Sequence, residues 1–268
     1  MHTYILAGQG SPTVVLESGL GDGKDSWVSV FSRLAAHTRV FAYDRAGYGS
    51  SRSGNSSRDG TTIVNELRST LQAIGLEPPY ILVGHSIGGT YMELYARSYP
   101  EEVAGVVLID SRHADFDRQC REAGALSCTP PAVLKVLLPK APKQELADGE
   151  MTMAQVTNAG PFPEVPLVVL TSGGNLLAGT RFNEVWLETQ NALADLSADS
   201  THTTCQHCGP VPFQFQYWPR ILYHATVEVP AELLQRQQAW PICSCTPRIA
   251  AGCLNCYIAS LPMLLKLI

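Results

Sequence analysis

The chain has 268 residues, of which 45% are hydrophobic and 16% charged, so it can bury one sizeable core. The formal net charge of −5 comes without a long run of either sign, which argues against a nucleic-acid-binding protein. No apolar run reaches the roughly 18 to 20 residues needed to span a bilayer. The first residues, Met1 to Tyr4, also lack a basic segment followed by an apolar stretch. We therefore expect no transmembrane segment, no secretory signal and a cytoplasmic location.

Short apolar runs alternate with helical patterns over the first 200 residues. The predicted elements are a strand at 13–16, a helix from 27 to 34 capped by Ser26, a strand at 39–43, a helix from 63 to 74, a strand at 80–83, a helix at 90–99, strands at 103–109 and 167–170, and a helix at 184–196. This alternation predicts an α/β fold with a mostly parallel sheet covered by helices on both faces.

Ligands of such sheets bind beyond the carboxyl ends of the strands. Four suggestive pieces fall at these ends: Gly19-Leu20, Ser86, Asp110 and Thr171. Residues 111–164 interrupt the alternation and are rich in Pro, Ala and Lys, so they are interpreted as a cap or lid insertion. The core is accordingly expected at 1–110 and 165–209.

The pentapeptide Gly84-His85-Ser86-Ile87-Gly88 follows a predicted strand directly and opens a predicted helix. A Gly-x-Ser-x-Gly turn in this context is typical of a nucleophile elbow, in which the serine hydroxyl is lifted above the sheet edge. A serine hydroxyl attacks efficiently only when a base accepts its proton. The alternative interpretation is a serine in a glycine-rich turn with no chemical role.

From residue 3 to about 209 the chain resembles the serine hydrolases of the α/β-hydrolase superfamily, close to the bacterial esterase-like members. The resemblance rests on four motifs in the expected order: 12–21 (PTVVLESGLG), 43–49 (YDRAGYG), 83–89 (VGHSIGG) and 105–110 (GVVLID). It implies hydrolysis of a small-molecule carboxylic ester through an acyl-enzyme, with no metal or organic cofactor. Lactone or amide hydrolysis on the same scaffold is the nearby alternative.

The resemblance also implies residue roles. Ser86 is the expected nucleophile, and the backbone N–H groups of Leu20 and Ile87 are the expected oxyanion hole. For the acid that orients the base, many relatives use a carboxylate after the following strand, but here that strand ends in 171–174 (TSGG) without one. We expect Asp110 instead, because it ends an apolar strand and so emerges at the catalytic edge. Asp115 is the fallback, and an Asp110 that only caps the next turn is the alternative. We interpret Asp44 as structural, holding Arg45 and the loop amides.

The catalytic base is a second position at which this sequence departs from the family pattern. Relatives carry a Gly-His pair after the last strand, whereas this chain has Gly209-Pro210. The nearest imidazole is His207, which we expect to be the base. His85 is disfavoured because its side chain should point away from that of Ser86. Since Pro210 cannot accept a proton, the alternative function is a catalytically impaired or non-catalytic binding protein.

Residues 210–268 form an atypical C-terminal segment with seven prolines, four cysteines and six charged residues. We interpret it as an altered reading frame or a recombined end. Its Cys-x-Cys and Cys-x-x-Cys pairs lack histidines at finger spacing, so no metal site is predicted. Elsewhere, Cys120 and Cys128 could form a disulfide, and scattered free thiols are the alternative.

Overall fold

The elements that carry the predicted site residues are positioned by one mostly parallel sheet. The computed structural model describes residues 2–54, 56–125, 128, 138–172 and 180–205. Within them the strands are β1 (Tyr4–Ala7), β2 (Thr13–Glu17), β3 (Val40–Tyr43), β4 (Tyr80–His85), β5 (Val103–Ile109), β6 (Leu167–Ser172) and β7 (Ser200–Cys205). They form one sheet in the order β1-β3-β2-β4-β5-β6-β7. Strand β1 runs antiparallel to β3, and the other neighbours are parallel. The expected fold class is confirmed.

Helices cover both faces of this sheet. Those of the described residues are α1 (Val28–Ala35), α2 (Gly60–Ala73), α3 (Ile87–Ser98), α4 (Phe116–Glu122), α5 (Lys140–Ala147), α6 (Gly149–Asn158) and α7 (Arg181–Ala194), with 3-10 turns at Lys24–Trp27 and Pro100–Glu102. Among the residues that the structure describes, no helix combines the length and the apolar character that crossing a bilayer requires.

Two apolar layers lie on opposite faces of the sheet because successive strand side chains alternate between faces. One layer packs the α2 and α3 side chains against Val15, Leu82 and Leu108. The other packs α1 against Val14 and Val107. Since both faces of the central strands are buried, these strands are apolar throughout, and this composition is what made them recognisable in the sequence.

The helix termini show where capping signals in the sequence agree with the structure and where they do not. Helix α2 begins after Asp59, whose carboxylate accepts a hydrogen bond from the Thr62 amide at 3.2 Å, and Gly75 follows its end with φ +71°. The predicted cap at Ser26 is wrong. Ser26 lies within the 3-10 turn, and its hydroxyl donates to the Gly23 carbonyl at 2.8 Å.

The described parts of residues 111–164 pack in two places. Helix α4 contacts α7 through the rings of Phe116, Phe182 and Trp186, and the Cys120–Cys128 disulfide lies in this cluster. Helix α6 instead packs beside α2 and α3, with Val156 in their apolar layer. Whether the segment covers the site stays a prediction.

Candidate active site

Ser86 lies at the turn between β4 and α3 with φ 53° and ψ −122°. This positive φ is uncommon for a residue with a side chain. Among the described residues other than glycine, only Ser86 and Asp110 have a positive φ. The two stand directly after the neighbouring strands β4 and β5, so both strained positions meet at one edge of the sheet. This is the backbone arrangement expected of a nucleophile elbow.

Glycines make this turn sterically possible. A Cβ on Gly84 would lie 2.5 Å from the Gly88 carbonyl oxygen and 2.5 Å from the Gly89 Cα. A Cβ on Gly88 would lie 2.6 Å from the carbonyl oxygens of Glu17 and Ser18. Since these neighbours are backbone atoms that cannot rotate away, the helix can approach β4 and β2 this closely only without side chains here.

The predicted oxyanion donors lie on two segments beside the elbow. Ile87 is the first residue of α3, so its amide has no acceptor within the helix. Leu20 lies in the loop after β2, and β2 pairs with β4 through Glu17 and Gly84. This loop reaches the elbow closely, because a Cβ on Gly19 would lie 2.9 Å from the His85 ring.

Asp110 follows β5 at the same edge and is 7% exposed. Its Oδ1 accepts a hydrogen bond from the Ser172 amide at 2.8 Å. Its Oδ2 is buried and has no hydrogen-bond partner among the residues that the structure describes. Burial raises the pKa of Asp110 to about 6, although the Ser172 amide and the nearby Trp186 indole act in the opposite direction. A buried acceptor oxygen thus lies next to the elbow.

The segment that carries Asp110 is tied to the elbow by backbone hydrogen bonds. The Ser86 amide donates to the Ile109 carbonyl at 3.0 Å, and the Arg112 amide donates to the Ser86 carbonyl at 3.1 Å. The fallback acid, Asp115, lies elsewhere: its carboxylate is 42% exposed and pairs with Arg118 at 2.9 Å. The structure therefore brings Ser86 together with Asp110.

The described histidines differ in their surroundings. Burial lowers the pKa of His85 to about 3, so its ring is neutral beside Gly19. His113 accepts a hydrogen bond from the Asp115 amide at 3.0 Å. His202 lies on β7 and contacts the Thr171 hydroxyl at 2.9 Å. Among the described residues no hydrogen bond joins a histidine to the Ser86 hydroxyl, and the predicted base, His207, lies outside them.

The expectation that Asp44 holds Arg45 is wrong. Asp44 accepts hydrogen bonds from the amide and the ammonium group of Lys24 and from the Thr3 hydroxyl. Arg45 turns the other way, towards Glu17 and Glu145. Asp44 is structural as expected, but it anchors the turn at Lys24.

Sequence reasoning missed three residues around the site. Trp186 of α7 lies near the Asp110 carboxyl, and Glu145 of α5 binds Arg45. Asp22 lies beside Gly19, and burial raises its pKa to about 7 while Arg45 lowers it. No local motif marks these positions, because each becomes part of the site only through folding. Within the described residues, no three His, Cys, Asp or Glu side chains are arranged to hold a metal ion.

Comparison with known proteins identifies the family. A family model described as the alpha/beta hydrolase fold matches residues 12–154, more than half of the chain. The chain belongs to the α/β-hydrolase family. Over 114 residues this α/β-hydrolase-fold protein is 33% identical to the uncharacterized protein YqjL of Bacillus subtilis. That match covers 42% of this chain and 45% of YqjL, so the chain spans less than half the length of this curated relative.

Solved structures share its fold at low sequence identity. An esterase from Thermogutta terrifontis has a TM-score of 0.56 and 18% identity, covering 76% of this chain and 84% of that one. An enol-lactonase from Burkholderia xenovorans has a TM-score of 0.52 and 18% identity, covering 76% of this chain and 87% of that one. At this identity the likeness establishes the fold of the α/β-hydrolase family and leaves the reaction to be argued from the site.

Proposed function

We propose that this α/β-hydrolase-fold protein is a serine hydrolase that cleaves small-molecule carboxylic esters through an acyl-enzyme intermediate. The observation that carries the proposal is the backbone of Ser86, with φ 53° at a turn closed by glycines. This conformation presents the hydroxyl at the carboxyl edge of the sheet, beside the first amide of α3. The nearby buried oxygen of Asp110 supports it, because it leaves an acceptor for an imidazole N–H.

In the proposed reaction the Ser86 hydroxyl transfers its proton to an imidazole while its oxygen bonds to the acyl carbon. The amides of Leu20 and Ile87 donate hydrogen bonds to the carbonyl oxygen as it becomes negative, and one such donor lowers the barrier by roughly 3 to 4 kcal/mol. The ester C–O bond then breaks, and the leaving alcohol takes the proton from the imidazolium. Water releases the acid by the same steps, and the proton returns to Ser86.

We assign the base to His207 and its orienting acid to Asp110. The proposed domain division keeps 1–110 and 165–209 as the core, 111–164 as the cap that shapes the acyl and alcohol pockets, and 210–268 as the atypical segment. No metal or organic cofactor takes part in this scheme, because the proton transfers and the oxyanion contacts use protein groups alone.

The test is hydrolysis of p-nitrophenyl acetate and butyrate by the wild type and by Ser86→Ala. Removing the nucleophile should reduce kcat by at least about 10³-fold, because only oxyanion and binding contributions are left. Ser57→Ala is the matched control, since Ser57 is an exposed serine whose hydroxyl donates to Asp148. Equal rates for the wild type and Ser86→Ala would overturn the proposal.

The second candidate, a protein with a decayed catalytic site, is favoured by one observation: Pro210 stands where relatives carry the catalytic histidine. Labelling with a fluorophosphonate separates the two functions, because it requires an activated serine. Stoichiometric labelling at Ser86 that is lost in His207→Ala supports the hydrolase and its base. Absence of labelling in the wild type supports the binding protein.

A further inference from the structure

Arg45, in the loop after β3, uses all of its hydrogen-bonding capacity beneath the Leu20 loop. A guanidinium carries five N–H donors. Nε and Nη2 donate to the two carboxylate oxygens of Glu145 at 3.0 Å each. Nη1 donates to Glu17 and to the Ser18 carbonyl at 2.6 Å each, and Nη2 also donates to the Gly19 carbonyl at 2.8 Å. Because the Arg45 side chain is only 1% exposed, this fork is held away from water.

The bond from Arg45 to the Gly19 carbonyl constrains where the Leu20 amide points. The C=O of Gly19 and the N–H of Leu20 belong to one planar trans peptide, so they face in opposite directions. With the oxygen held by Arg45 on the buried side, the N–H of Leu20 must point away from Arg45. The bond to the Ser18 carbonyl fixes the preceding peptide in the same way. The Asp22 amide also donates to the Gly19 carbonyl, at the longer distance of 3.3 Å, so Arg45 and this backbone turn hold the Gly19 peptide together.

The positive charge of Arg45 beside the Gly19 carbonyl also changes the donor strength of the Leu20 amide, which belongs to the same peptide group. Hydrogen bonds polarise one another along a chain, more strongly where water is excluded. Withdrawal of electron density at the Gly19 oxygen therefore makes the Leu20 N–H a stronger donor. Arg45 is suited to this task because its charge is permanent and its planar fork reaches several acceptors, whereas an ammonium offers three donors on one nitrogen.

Helix α5 holds the other side of the guanidinium. Glu145 is fully buried, and it also accepts a hydrogen bond from the Tyr48 hydroxyl at 2.7 Å. Burial opposes the charge of Arg45, but Glu145, Tyr48 and Glu17 together keep the Arg45 pKa well above its ordinary value. The orientation of Arg45 therefore depends on a helix of the inserted segment about a hundred residues away in the chain.

We propose that Arg45, held by Glu145, is the positioning residue of the oxyanion hole, fixing and polarising the Leu20 amide through the Gly19 carbonyl. The inference rests on the hydrolase function proposed above. It gives the buried ion pairs of Arg45 with Glu17 and Glu145 a role in the transition state, where the oxyanion forms, in addition to their role in packing.

The test is steady-state hydrolysis of p-nitrophenyl butyrate by the wild type, Arg45→Lys, Glu145→Gln and Arg97→Lys. The kcat is expressed per active site titrated with a fluorophosphonate, so that unfolded protein does not count. Arg97 is the matched control, since it also binds a carboxylate, Glu93 at 2.9 Å, and a backbone carbonyl, Gly160 at 3.0 Å. It lies at the far end of α3 from Ser86.

We expect Arg45→Lys to lower kcat by about 10- to 100-fold, less than the roughly 10²- to 10³-fold that removing a donor costs. KM should change little, because the contact strengthens only as the oxyanion develops. Arg97→Lys should keep the wild-type kcat. If Arg45→Lys does not fold, Glu145→Gln carries the test, with a lower kcat at unchanged KM.

A wild-type kcat in folded Arg45→Lys, or in Glu145→Gln where Arg45→Lys does not fold, would overturn this inference and leave the hydrolase function standing. A kcat equally lowered in Arg97→Lys would also overturn it, because the effect would then belong to the loss of any arginine that binds a carboxylate and a backbone carbonyl. A wild type without Ser86-dependent turnover would overturn the proposed function and this inference together.

Discussion

At Ser86 and Asp110 the backbone adopts a conformation that costs on the order of 1–3 kcal/mol for a residue other than glycine. Both residues are held by hydrogen bonds to their neighbours. The Ser86 amide donates to the Ile109 carbonyl, and the Asp110 carboxylate accepts from the Ser172 amide. Strain of this kind persists only where the surrounding structure enforces it, and it concentrates at functional sites. The proposed nucleophile and the proposed orienting acid therefore both occupy positions where the backbone conformation is unfavourable.

Asp110 yields a prediction about pH. Its pKa of about 6 exceeds the ordinary value of about 3.9, so between these values the folded protein binds the proton more tightly than the unfolded chain. The buried charge therefore lowers the free energy of unfolding as pH rises through this interval, by about 3 kcal/mol once pH exceeds 6. Asp110→Asn removes this penalty, and asparagine tolerates the positive φ.

We expect Asp110→Asn to be at least as stable as the wild type at pH 8, with the difference shrinking towards pH 4. Its kcat should nevertheless fall by up to about 10⁴-fold, because the base loses its charged partner. Urea denaturation at several pH values and ester hydrolysis at pH 8 measure the two effects. A variant that is less stable than the wild type at pH 8 would contradict the argument.

At the scale of elements, the joint between β4 and α3 depends on glycines that a sequence can reveal. The predicted strand at 80–83 is observed as Tyr80–His85, and the predicted strand at 103–109 is observed with those bounds. Strands β1 and β7 were missed, because β1 is mostly exposed at the sheet edge and β7 is polar, with the sequence STHTTC. A buried central strand is recognisable from its apolar residues, and an edge strand is not.

Gly84→Ala tests this joint. Its new methyl group would meet backbone atoms at 2.5 Å, so we expect a loss of at least about 2 kcal/mol in the free energy of unfolding, together with lost esterase activity. Gly149→Ala, at the start of α6, is the matched control because nothing lies within 4 Å of its Cβ position. It should be neutral or stabilising by up to about 1 kcal/mol. Thermal unfolding of both variants measures the contrast, and equal stabilities would refute it.

Across the whole molecule, the parallel sheet gathers residues that are distant in sequence. Because β2, β4 and β5 run in the same direction and are neighbours, the loop after Glu17, the elbow at Ser86 and the turn at Asp110 share one edge. The three segments meet because of the order of the strands within the sheet, which differs from their order along the chain. The stability of the site therefore depends on the packing of the central strands.

Leu82 of β4 lies fully buried in the layer under α2 and α3. Leu82→Ala should lower the free energy of unfolding by about 2–5 kcal/mol, through lost burial and the cavity left behind. Val28→Ala, at a side chain 73% exposed, should change it by less than about 0.5 kcal/mol. Chemical denaturation of both measures the difference. A cost at Leu82 no greater than at Val28 would contradict the central position of β4.

The amino-acid sequence by itself determined the fold class, the central strands and the turn at Ser86. These depend on apolar runs, helical spacing and glycines, all of which act between residues close in the chain. Only the tertiary structure decided that Asp44 binds Lys24, that Arg45 joins Glu17 to Glu145, and that burial raises the Asp110 pKa. These pairings depend on which groups folding brings together away from water. A buried charge without a partner there would destabilise the fold strongly.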